Sequence, residues 1–121
     1  MKIFCLGSNS LFTRKVAFYL GIELGKVNVS KFSDGEIFIE IGENVRGEDC
    51  FLVQTLYPNS SEAIMTLVLA ADTLKRASAG RVTAVIPYFA YMRQDRKVRP
   101  RVPISFKALA NILVALSLIH I

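Results

Sequence analysis

Short, continuous apolar runs alternate along this chain with stretches in which apolar residues return every third or fourth position. The run "KIFCL" (residues 2–6) reads as a strand buried on both faces. "GSNS" follows as a turn able to cap a helix. Phe12, Val16, Tyr19 and Leu20 then fall at helical spacing, and Gly21 stands where a helix stops. "KVNVSKF" and "EIFIEI" predict two paired strands. In the second, Ile37, Ile39 and Ile41 share one face, and Phe38 and Glu40 share the other. Ser33-Asp34-Gly35 joins them as a hairpin, since Asp and Gly both tolerate positive φ.

"DCFLVQT" is a further buried strand. After Pro58, Asn59 with Glu62 three residues on has the arrangement of a capping box, and Ile64, Leu67, Val68, Ala71 and Leu74 form one apolar helical face. "RVTAVIP" predicts a fifth strand stopped by Pro87. Pro103 can open a last helix with Leu109, Ile112, Leu113 and Leu116 inward. The order β-α-β-β-β-α-β-α predicts an α/β fold. Its sheet is covered on both faces, has parallel central strands, and carries an antiparallel hairpin near one edge.

Composition narrows the class. The chain has 121 residues, 52% of them hydrophobic, which suits one globular domain with a single core. The apolar stretch from Ala108 to Ile121 is interrupted by Asn111, Ser117 and His120 and is too short to span a membrane, and the N-terminus lacks a signal-peptide core. Cys5 and Cys50 have no metal-ligand spacing and read as reduced, buried thiols, which points to a cytoplasmic location. No metal site is expected on these residues.

The net charge of +5 changes the picture more, because it is concentrated. "YMRQDRKVRPR" (residues 91–101) holds Arg93, Arg96, Lys97, Arg99 and Arg101 against Asp95 alone. This stretch follows the fifth strand, and in open α/β sheets ligands gather beyond the carboxyl ends of the strands. Arginine binds phosphate bidentately, so an anionic ligand is expected there. Taken alone, the stretch is equally a solvated basic loop.

"FSDGEIFIEIGENVRGEDCFLVQT", "LKRASAGRVTAVIPYFAYMRQDRKVRPRVPIS" and the opening "MKIFCLGSNS" resemble the N-terminal domain of the ribose-phosphate pyrophosphokinases (PRPP synthetases) over residues 1 to about 115. The resemblance implies a doubly wound, mostly parallel sheet of the phosphoribosyltransferase type with an inserted antiparallel hairpin. It implies a transferase that moves diphosphate from ATP to ribose 5-phosphate with Mg²⁺, giving PRPP and AMP. It implies homo-oligomers, dimers building hexamers, that respond to phosphate and ADP. Arg93, Gln94, Asp95 and Arg96 match the segment lining the ATP site. Phe32, Asp34 and Glu36 match a hairpin that reaches into a neighbouring subunit's ATP site, with Phe32 on the adenine. Asn44, Arg46 and Ser78 match positions near a regulatory phosphate or nucleotide site.

The departures matter equally. The family continues past the last helix into a segment whose histidine helps bind the metal, whereas this chain reads "LVALSLIHI", and His120 does not inherit that role. The acidic pyrophosphate-binding loop, the catalytic lysine and arginine, and the second domain with the ribose 5-phosphate site are not among these residues. "LSLIHI" (residues 116–121) matches the translation of a sequencing adapter and is read as a non-native tail. The expectation is thus an N-terminal fragment, inactive alone, with no nucleic-acid or membrane partner. Two alternatives stay open: a non-catalytic regulatory homologue that co-assembles with a full synthetase, and a basic nucleic-acid-binding module.

Overall fold

The computed structural model describes residues 1–7, 10–88, 100–101, 104–116 and 119–120. Its elements are β1 (Lys2–Cys5), α1 (Ser10–Leu20), β2 (Val27–Lys31), β3 (Ile37–Ile41), β4 (Asp49–Val53), α2 (Ser60–Arg76), β5 (Arg81–Val85), α3 (Ser105–Ala115) and β6 (Ile119–His120). The expected order is present, with one short strand added at its end. β1, β4, β5 and β6 lie side by side in that order and are all parallel. Ile119 and His120 sit in register with Thr83 and Ala84, on the side of β5 that would otherwise be a free edge. The hairpin β2–β3 does not join this sheet. Among the described residues it pairs only with itself, Val27 opposite Ile41 through Lys31 opposite Ile37.

Strand alternation sorts the buried residues onto two faces. Phe4, Cys50, Leu52, Val82 and Ala84 belong to one core with Leu67, Ala70, Ala71 and Leu74 of α2, joined by Leu109 and Leu113 of α3. Ile39 and Ile41 of the hairpin pack against the same core. The opposite face, with Ile3, Phe51, Val53 and Val85, lies across an apolar cavity from Thr13, Val16 and Leu20 of α1. The sheet is therefore covered by α1 on one side and by α2 on the other. Gly25 lies so close to the buried Phe4 ring that a Cβ there would stand 2.4 Å from its Cε1. Only glycine lets the chain pass beneath that ring.

Four expectations need correction. The core-facing residues of α1 are Thr13 and Ala17, whereas Phe12, Tyr19 and Leu20 are exposed. Periodicity finds the most apolar stripe, but Thr13 and Ala17 are the residues buried here, and an apolar cavity lined by Phe12, Val16 and Leu20 stays open between α1 and the sheet. On α3, Ile112 is exposed, while Leu109 and Leu113 carry the packing. The capping box at α2 does not form: Asn59 makes no cap bond, and its Nδ2 donates instead to Glu62 Oε2 at 3.0 Å. Glu62 is drawn away by Lys31, as described below. Of the cysteines, Cys50 is buried and Cys5 half-buried, and neither forms a disulfide. Burial pushes the Cys50 thiol upward, so it stays protonated and inert. Among the described residues no helix is long and apolar enough to cross a membrane.

Candidate functional site

β1 and β4 are neighbours, but the chain leaves β1 for α1 on one face and β4 for α2 on the other. Their carboxyl ends thus flank a topological switch point, the place where such sheets open a ligand crevice. Backbone bonds continue the pairing past the strand ends. Leu6 N donates to Val53 O (3.2 Å), Gln54 N to Val85 O (3.1 Å) and Leu56 N to Tyr88 O (2.9 Å). The Tyr57 and Tyr88 rings meet edge to face with centroids 5.6 Å apart. The segment leaving β5 is thereby held as far as Tyr88, three residues before the stretch that carries the positive charge. Arg93, Gln94, Asp95 and Arg96 lie outside the described residues; the chain is described again at Pro100 and Arg101.

The hairpin tip is built by local bonds. Phe32 N donates to Glu36 O (2.8 Å), Gly35 N to Phe32 O (2.9 Å) and Glu36 N to Asp34 Oδ1 (3.0 Å). Gly35 has φ 93°, a left-handed conformation that a side chain would strain. Phe32, Asp34 and Glu36 are brought together and all face solvent. Phe32 is 55% exposed and touches the Phe38 ring edge to face at 5.5 Å, so its outer face is free within this chain.

Asn44, Arg46 and Ser78 also converge, though at the other end of the sheet, where β4 and β5 begin. Asn44 Oδ1 accepts from Arg46 N (3.0 Å), Arg46 bridges to Ala79, and Gly47 N donates to Ser78 O (2.9 Å). Ser78 ends α2 at φ 67°, with its N–H on Lys75 O and the Ala79 N–H on Leu74 O. That pair of bonds is a Schellman stop, normally occupied by glycine. A serine held there is strained backbone of the kind that marks candidate sites. Gly80 is confined as well, because a Cβ would approach Gly47 O to 2.8 Å.

Two carboxylates, Glu43 and the expected capping residue Glu62, fix the hairpin at both ends. Glu43 accepts from Lys2 Nζ of β1 and from Lys26 N at the hairpin base (2.6 Å). Glu62 of α2 accepts from Lys31 Nζ (2.8 Å), the residue before Phe32. Neither pairing has a local sequence signal, since the partners lie 41 and 31 residues apart. Among the described residues no group of three or more His, Cys, Asp or Glu side chains could hold a metal ion.

The Lys2 ammonium, then the Lys26 N–H, hold the Glu43 carboxyl below its usual range. Arg81, in a two-pronged contact (3.1 and 2.6 Å), does the same to Asp49. A carboxyl with a depressed folded pKa adds stability above its unfolded value, near 4, and that stability disappears as pH falls through the folded value. The double variant Glu43→Gln/Asp49→Asn is therefore expected to lose stability at pH 7 and to show a shallower further decline below about pH 4. Urea midpoints measured from pH 7 to pH 3 test this, and an unchanged slope would assign the acid loss to other groups.

The family model described as the N-terminal domain of ribose phosphate pyrophosphokinase matches residues 1–116. The ribose-phosphate pyrophosphokinase of Rhizobium meliloti is 50% identical over 113 residues, which is 93% of this chain and 36% of that protein. That of Brucella melitensis is 53% identical over 114 residues, with the same shares. The crystal structure of phosphoribosylpyrophosphate synthetase from Mycobacterium smegmatis superposes with a TM-score of 0.92 at 32% identity, covering 98% of this chain and 41% of that one. The chain thus spans little more than a third of the curated relatives' length. The parallel sheet with its separate hairpin and the match over residues 1–116 lead to one conclusion: this chain belongs to the ribose-phosphate pyrophosphokinase family, as its N-terminal domain.

Proposed function

We propose that this domain holds ATP for diphosphoryl transfer to ribose 5-phosphate, the reaction that yields PRPP and AMP. The observation that carries the reading is the anchored exit of β5. The Leu56–Tyr88 bond fixes the root of the basic stretch beyond the carboxyl end of the sheet. Arg93 and Arg96 neutralise the phosphates, Gln94 offers one donor and one acceptor, and Asp95 orients the arginines or takes a ribose or base donor. Phe32, Asp34 and Glu36 reach the adenine of a neighbouring subunit, a role supported by their exposure at a rigid tip. Mg²⁺ would arrive with the phosphates and offset their charge. Asn44, Arg46 and Ser78 form the effector site for phosphate or ADP, at the far end of the sheet from the nucleotide.

In a full-length chain carrying this domain, Arg93→Ala is expected to weaken ATP binding by about 1.5–3 kcal/mol, the loss of a charge-assisted bond. Arg14→Ala on α1 should leave it unchanged, and Phe32→Ala should raise the ATP requirement without lowering the unfolding midpoint. Calorimetric titration of ATP checks the first pair, and equal affinities for both variants would remove Arg93 from the site.

A further inference from the structure

Between the carboxyl ends of β1 and β4 lies a crevice of about 230 Å³ that the reading above does not use. Leu6, Val29, Tyr57 and Pro58 form its apolar side; Gln54, Thr55, Thr66, Asn59 and Glu62 form its polar side, with Asn59 and Glu62 at the start of α2. Among the described residues the lining includes one carboxylate and no cation. Lys31 reaches Glu62 from outside it and is taken up by Oε2, the oxygen that also accepts from Asn59 Nδ2. Glu62 Oε1 and Asn59 Oδ1 have no further partner among the described residues. Two acceptors without a free cation disfavour phosphate and suit N–H donors. Tyr57, 63% exposed, offers a ring face beside Val29 and Pro58. The volume is below the ~300–1,000 Å³ of sites for larger ligands, so one fused ring fits and a whole nucleotide does not.

We propose that this crevice is a separate small-molecule site for an amino-substituted heteroaromatic ring, such as the adenine of a nucleoside. The ring lies against Tyr57 and the exocyclic amino group donates to Glu62 and Asn59. The assignment does not depend on what the basic stretch holds.

Adenosine titrated by calorimetry into the 121-residue chain is expected to bind. Inosine, with an oxo group in place of the amino donor, should bind about tenfold more weakly, because a site built to accept that bond is left unpaired. Tyr57→Ala and Glu62→Ala should each cost a similar factor with the circular dichroism spectrum unchanged. Lys31→Ala, which breaks the ion pair but keeps the acceptor, and Arg93→Ala should both leave adenosine binding intact. Any of three results overturns the site: no adenosine binding at millimolar concentration; equal binding of inosine; or loss in Lys31→Ala or Arg93→Ala as large as in Glu62→Ala.

Discussion

Supplied with ATP, Mg²⁺, phosphate and ribose 5-phosphate, the purified 121-residue chain is expected to release no AMP above background. Holding the donor is half of a diphosphoryl transfer. The acceptor hydroxyl must stand in line with the β-phosphorus, and positioning of this kind supplies about 7–11 kcal/mol of the barrier reduction in well-oriented reactions. Preorganised donors on the transferring group contribute further, at about 3–4 kcal/mol each. Residues 1–116 match the N-terminal domain of the family, and the resemblance puts the acceptor pocket and those donors outside it. The hairpin adds a second requirement. In the proposed reading Phe32, Asp34 and Glu36, exposed at the hairpin tip, serve a neighbouring subunit's adenine, so a chain that does not assemble would leave it unheld. Ribose 5-phosphate-dependent AMP formation, sustained over many turnovers in protein free of host enzyme, would show that these residues suffice.

Leu52→Ala is expected to remove about 2–5 kcal/mol of stability, against a total of ~5–15 kcal/mol for a domain. Leu52 is 0% exposed on the central strand β4, between its neighbours β1 and β5 and under α2. Truncation there leaves a cavity walled by elements that cannot collapse together without breaking strand register. Tyr19→Ala, by contrast, should stay within about 0.5 kcal/mol, because the ring is 84% exposed. Helical spacing alone would rank Tyr19 among the core residues of α1, so the pair separates the two views of that helix. Urea unfolding followed by circular dichroism checks both. Comparable losses would mean that α1 packs through its aromatic face after all.

The hairpin tip was legible because its chemistry is local. Ser33-Asp34-Gly35 dictates the turn, and the turn sets Phe32, Asp34 and Glu36 side by side. The basic stretch was legible for another reason: charge needs no geometry to be seen. Grouping Asn44 and Arg46 with Ser78 came from the family resemblance and not from any local pattern, since Ser78 closes α2 while the others precede β4. Only the parallel pairing of β4 and β5 makes those two connections adjacent. The crevice was invisible for the same reason, as Leu6, Tyr57 and Glu62 meet through the order of the strands.

By itself, the sequence determined the kind and order of the elements from Lys2 to Ala115, the α/β class, and the family. Each of these rests on periodicity or on a contiguous run of residues. The tertiary structure decided which face of α1 is buried, because the way the helix lies over the sheet, which its own periodicity does not encode, turned Thr13 and Ala17 inward. It decided that the hairpin stands apart as its own sheet, leaning on α2 through Ile39 and Ile41 and tied there by Lys31 to Glu62. It also turned Glu62 from a helix cap into that tie. A carboxylate takes the best donor within reach, and which donors are within reach is a property of the fold.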